Sequence, residues 1–224
     1  MPLVAFTEAY VLLLEGNDVL TFIESLSTNH VEQLQEGESI QTVFTKPNAQ
    51  IIDVVALHHL GSMVAMIGYS RNLQPLMEHL TPRTLSQDVK IRNITKLNQV
   101  HIGFGEFTKP SASTEIECNG YSLLVTPINS DVLVSEESWD EFRIKNMIPW
   151  FGNEISDSIH PLACGLDRLV HHSKGCYVGQ EVIARMRSRG RQGKELVRIS
   201  NAQVNKEEVT TRGVTNSLVI RRTQ

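Results

Sequence analysis

Lys174-Gly175-Cys176-Tyr177-Val178-Gly179-Gln180-Glu181 places one of the chain's three cysteines beside a lysine and between two glycines. A thiol ionises near pH 8.5, and a neighbouring cation or a helix N-terminus favours the reactive thiolate. A helix running from Tyr177 to Met186 would bring the Cys176 sulfur close to unpaired backbone N–H groups, with Lys174 and Arg185 adding positive potential. On that geometry Cys176 serves as a nucleophile, a redox thiol or a transient metal ligand; the bland alternative is a buried structural cysteine. Gln180 and Glu181 suit the donor–acceptor edge of a planar heterocycle such as a pterin. Glu181 would equally complement the helix dipole.

Two further features carry chemistry. Arg185, Arg187, Arg189, Arg191 and Lys194 form an acid-free run that suits polyanions such as polyglutamate or RNA phosphate, or simply a solvated face. No aromatic residue interleaves with them, so base stacking has no platform. Asp53 interrupts the apolar run Ile51–Leu57, where a carboxylate needs a partner such as Arg143 or a catalytic reason to be there. Zinc-ligand and Walker spacings are absent. With eight histidines a Cys–His pair stays open.

These residues need elements to position them. Apolar spacing predicts a strand at 11–14 and a helix from Val19 to Leu26 capped by Asn17 or Asp18. A short helix through Val31 and Leu34 follows, then paired strands at 51–57 and 63–67. Ser70 opens a helix reaching Leu80. Strands follow at 89–91, 100–104, 121–125 and 132–134. Ser135 and Ser138 open a helix to Asn146, another spans Leu162–His171, and a last strand covers Ser217–Arg221. Helices mixed with short, tightly turned strands argue for an α+β fold.

Hydrophobic residues make up 41% and charged residues 21% of the 224, as in ordinary globular proteins. Apolar runs are too short to span a membrane, and scattered cysteines exclude a disulfide framework. A cytoplasmic protein with no membrane contact is expected. Charge is unevenly spread: residues 1–142 hold 7 Lys/Arg and 18 Asp/Glu, residues 143–224 hold 14 and 7. The basic C-terminal third either meets an anion or attracts the acidic part of its own fold.

The octapeptide resembles the KGCYxGQE signature of YgfZ-type proteins, folate-binding relatives of the glycine-cleavage aminomethyltransferase (T-protein). Leu14–Val19, Thr28-Asn29-His30-Val31, the Thr45–Val54 strand, Asp88–Ile91, and Arg143-Ile144 with Pro149, Gly152 and Pro161 extend the resemblance over residues 11 to about 196. It implies a T-protein-like fold, with residues 1–196 as the folate-binding region and 197–224 as a truncated remnant of a C-terminal β-barrel. Tetrahydrofolate in a central channel is implied as cofactor, with Cys176 at its edge. Implied folate ligands are Tyr177, Gln180, Glu181, Arg185 and Arg143. Implied catalytic residues are Cys176, Lys174 and Asp53, the last matching the aspartate that helps activate the folate amine in aminomethyltransferases.

The implied role is an accessory one in iron–sulfur cluster assembly or repair, with iron–sulfur proteins or their assembly machinery as partners and an effect on tRNA modification. Alternatives are a tetrahydrofolate-dependent aminomethyltransferase and a folate-free interaction module. The chain departs from the family at Lys145 and Ala163, where pterin-region glutamates are expected, and a lysine only donates where a carboxylate accepts.

Overall fold

The computed structural model describes residues 3–130, 139–190 and 193–223. The expected strand at 132–134, the helix opening at Ser135–Ser138 and Arg191 lie outside them.

Three antiparallel sheets carry the fold. Five strands form the first in the order β3–β4–β5–β2–β6: β2 (Ala9–Glu15), β3 (Ser39–Thr45), β4 (Ile51–His59), β5 (Met63–Tyr69) and β6 (Lys90–Asn93). Strand period two divides its side chains between two cores. Tyr10, Leu12 and Leu14 of β2 face α1 (Val19–Leu26) and α2 (Leu73–Leu80), whereas Ala9 and Val11 face the second sheet. In α1 the spacing i, i+3, i+4, i+7 buries Val19, Phe22, Ile23 and Leu26, each side chain worth about 2 kcal/mol when withdrawn from water. Asp18 precedes α1 but makes no side-chain cap. Its carboxylate instead accepts the Asp88 N–H at 2.8 Å, tying the helix start to the approach to β6.

The second sheet runs β1–β7–β9–β8, from β1 (Leu3–Ala5), β7 (Asn98–Gly103), β8 (Thr114–Glu117) and β9 (Ser122–Pro127). The third, β10 (Lys194–Ser200), β11 (Val209–Arg212) and β12 (Asn216–Arg222), has β12 in the centre and packs on α3 (Trp139–Asn146). It begins at Lys194, slightly ahead of the expected boundary at 196, and among the described residues no sheet closes into a barrel.

Two expected helices do not form. The segment from Val31 to Gly37 is a pair of turns. The span Leu162–His171 is two short 3-10 turns, Pro161–Cys164 and Asp167–Leu169, broken at Gly165. Gly165 has φ +81, and a Cβ there would lie 2.8 Å from Leu196, so backbone and packing both demand glycine and end the helix. Between the first two sheets runs an aromatic column. Tyr69 stacks on Phe151 with centroids 4.8 Å apart, Phe6 lies 5.1 Å from Trp150, and Trp150 meets Trp139 at 5.2 Å and Tyr121 at 5.8 Å.

Candidate functional site

The octapeptide folds as an anchored loop leading into α4 (Gln180–Ser188). The helix starts three residues later than the sequence suggests because Gly179 stands before it at φ +87, where a Cβ would lie 2.7 Å from the Lys46 carbonyl and the Thr45 hydroxyl. Thr45 Oγ1 also donates to the Val178 carbonyl at 2.5 Å, so β3 clasps the loop. Cys176 therefore lies four residues ahead of the helix, exposed on the loop, and not in its N-terminal turn.

Lys174 turns inward, toward the end of α1. Its side chain is fully buried, and Nζ donates to the carbonyls of Glu24 (2.8 Å), Ser27 (2.7 Å) and Asn29 (2.6 Å). All three protons are thus committed to the end of α1, where the helix dipole favours a cation. The Glu24 carboxylate stands 3.2 Å away. Burial draws the lysine pKa down against the pull of Glu24, while contacts with Val31, Lys174 and Glu32 leave Glu24 below the usual carboxylate range despite its burial. Lys174 Nζ also sits 5.4 Å from the Tyr177 ring centroid, within cation–π range. Tyr177 is buried beside Ala49, Leu162, Val170 and Ile183, which raises its phenol pKa. The two flanking anchors fix the backbone that displays Cys176.

The remaining expected residues are dispersed. Glu181 is exposed on the first turn of α4 and pairs with Arg185 at 2.8 Å, a surface contact of about 0.5 kcal/mol. Gln180 reaches back to the Lys174 carbonyl. Arg187 donates to the Asp167 carboxylate at 2.6 Å and contacts His172, so one arginine of the basic run braces its own fold.

Arg143 is fully buried and pairs with Glu154 at 2.7 Å and Asp140 at 2.7 Å, with Thr211 as a third partner. Glu154 also accepts the Trp150 N–H and both the Thr210 and Thr211 hydroxyls. This network joins α3, the 150–155 loop and β11, a structural task that sequence reading missed because Glu154 falls in an irregular segment.

Asp53 is not paired with Arg143. Its carboxylate accepts Tyr10 Oη at 2.7 Å, Asn72 Nδ2 at 2.8 Å and the Val54 N–H at 2.9 Å, on the face of β4 turned toward α2. Gly68 leaves the room: a Cβ there would lie 2.3 Å from Tyr10 Oη and 2.4 Å from the Asp53 carboxylate. Burial raises the Asp53 pKa from 3.8 to about 7, against the lowering effect of its donors. Between those values the folded chain holds a proton that the unfolded chain has released, so the contribution of Asp53 to stability is most favourable below pH 4 and declines as pH rises toward 7. Three units at about 1.4 kcal/mol each make the loss about 4 kcal/mol. Urea unfolding of the wild type and Asp53→Asn across that range should show this decline in the wild type only. Parallel pH profiles would refute it.

A central cavity lies between the first two sheets, lined by Phe6, Gln41, Tyr121, Trp150, Phe151 and Arg168 among others. Cys176, Lys174, Asp53, Tyr177, Gln180, Glu181, Arg185 and Arg143 are all absent from its wall. Lys145 is exposed on a separate groove of about 640 Å³ together with Arg198 and Glu106, and Ala163 is buried. Among the described residues no three His, Cys, Asp or Glu side chains converge as a metal site, and no helix is long and apolar enough to cross a membrane.

No family model matches the chain. A provisionally named chloroplastic transferase of Arabidopsis thaliana is 24% identical over 213 residues, covering 76% of this chain and 49% of its own length. An aminomethyltransferase of Koribacter versatilis is 20% identical over 224 residues, 78% of this chain and 59% of its own. An uncharacterized Haemophilus influenzae protein is 22% identical, covering 84% and 69%. The chain thus spans about half to three-fifths of the first two relatives. Among solved structures, the glycine cleavage system aminomethyltransferase T of Bartonella henselae superposes with a TM-score of 0.80 at 13% identity, over 99% of this chain and 78% of its own. This superposition gives the chain a mixed α/β fold like that of the glycine cleavage system aminomethyltransferase T.

Proposed function

We propose that the chain is an accessory protein of iron–sulfur cluster assembly or repair that works through the Cys176 thiol. The observation behind this reading is how the sulfur is displayed. Of the three cysteines only Cys176 is exposed, on a loop pinned by Lys174 two residues before it and Tyr177 one residue after. Burial pushes the thiols of Cys118 and Cys164 up to about 12, where they are inert near neutral pH. A solvent-facing sulfur on a fixed backbone suits contact with a partner protein's electrophile or cluster iron. The YgfZ-type signature around Cys176 supplies the iron–sulfur context, and an effect on tRNA thiolation would follow from it.

The test is complementation of a host lacking its own family member. Wild-type chain should restore iron–sulfur enzyme activity in extracts, and Cys176→Ala, at equal abundance, should leave it at the null level. Full rescue by Cys176→Ala would sink the reading. On the purified native protein, iodoacetamide should modify one thiol, with the other two reacting only in denaturant.

A second reading, a tetrahydrofolate-dependent aminomethyltransferase, draws on the names of the relatives. It requires Asp53 to reach a substrate, and that carboxylate is enclosed by Tyr10 and Asn72. Aminomethyl exchange with a lipoyl carrier protein discriminates the two.

A further inference from the structure

We infer that this chain's central cavity is filled by its own aromatic side chains and does not admit tetrahydrofolate. Trp150 and Phe151 enter the space between the first two sheets, the indole 5.1 Å from Phe6 and 5.8 Å from Tyr121, the Phe151 ring 4.8 Å from Tyr69. About 30 Å³ of free volume is left. That is room for about two waters, against the ~300 Å³ at which small-molecule sites begin.

Two of the polar side chains on the wall, Gln41 and Tyr121, are committed to each other, while Arg168 is exposed. Gln41 Nε2 donates to Tyr121 Oη at 3.0 Å, and its carbonyl oxygen accepts the Asn119 N–H at 3.0 Å. The amide edge that would read a heterocycle is used at both ends. The carboxylate expected for the pterin is Lys145, exposed on another groove, so no acceptor replaces it from that position.

The plug is also held from behind. Glu154 accepts the Trp150 N–H at 3.1 Å while paired with buried Arg143, and the Trp150 carbonyl accepts the N–H of Ile155 at 3.0 Å. These bonds hold the Trp150 backbone, so the loop that carries the indole cannot shift without disturbing a buried ion pair. This inference is independent of the thiol reading and concerns a different part of the molecule.

Two measurements decide it. Anaerobic calorimetry of reduced wild-type protein with tetrahydrofolate to 1 mM should show no saturable heat. A one-to-one isotherm tighter than about 100 μM would overturn the inference and leave the role of Cys176 untouched. Trp150→Ala should melt well below wild type and recover several degrees on addition of millimolar indole, whereas the wild type should not respond. A folded Trp150→Ala that ignores indole would show that Trp150 fills no cavity, and would also overturn it. Where Trp150→Ala does not fold, the wild-type titration decides alone.

Discussion

Glu154→Ala should lower the unfolding free energy by about 3–5 kcal/mol, the cost of leaving a buried charge without its counter-ion. Arg143 has no solvent-exposed side-chain surface, and among the described residues Glu154 is its only fully buried acidic partner, Asp140 being half exposed. The same carboxylate receives the Thr210 and Thr211 hydroxyls at 2.6 Å each, so truncation orphans several donors at once. Glu154→Gln keeps the shape and some acceptor capacity and should cost less. Arg143→Met with Glu154→Met removes both charges and should be milder than the sum of the single changes, because neither ion is left behind. Urea unfolding of the wild type, Glu154→Ala, Glu154→Gln, the two single Met variants and their double measures this. A Glu154→Ala penalty under 1 kcal/mol would show that the network does not hold the third sheet.

Lys174→Met is the second large effect. Methionine matches the aliphatic stem but strands the carbonyls of Glu24, Ser27 and Asn29, each of which accepts a charged N–H. Bonds to charged groups contribute about 1.5–3 kcal/mol each, but partial access of water to the freed carbonyls makes a total near 3 kcal/mol reasonable. The change should act locally as well. Amide exchange across residues 171–179 should quicken at least tenfold while the β4–β5 hairpin stays protected. Unchanged exchange in that segment would mean that the loop around Cys176 is held by Tyr177 and Thr45 alone.

Much of the scaffold was legible in the sequence. The four-residue apolar stripe of α1 and the β-branched run of β4 announced themselves because local period and burial agree. β3 and β8 escaped because Ser39, Gln41, Glu115 and Glu117 alternate with too few apolar partners to stand out. The expected helix over 162–171 failed on one glycine whose Cβ would strike Leu196, a contact with a strand some thirty positions away. Site residues were harder to read. Lysine beside cysteine suggests thiol activation, but the lysine side chain turns inward to meet carbonyls that sequence spacing cannot bring near. Asp53 was correctly suspected of needing a partner. Its partners are Tyr10, 43 residues away, and Asn72, and not an arginine.

The Lys174 contacts link positions separated by 150, 147 and 145 residues. During synthesis at about 5–20 residues per second, the carbonyls that end α1 wait roughly 7–30 seconds for their lysine to leave the ribosome. The first sheet and its helices are complete in sequence long before that. The nascent chain therefore carries an unsealed helix end until Lys174 emerges, and its closure coincides with the appearance of the loop that displays the exposed thiol.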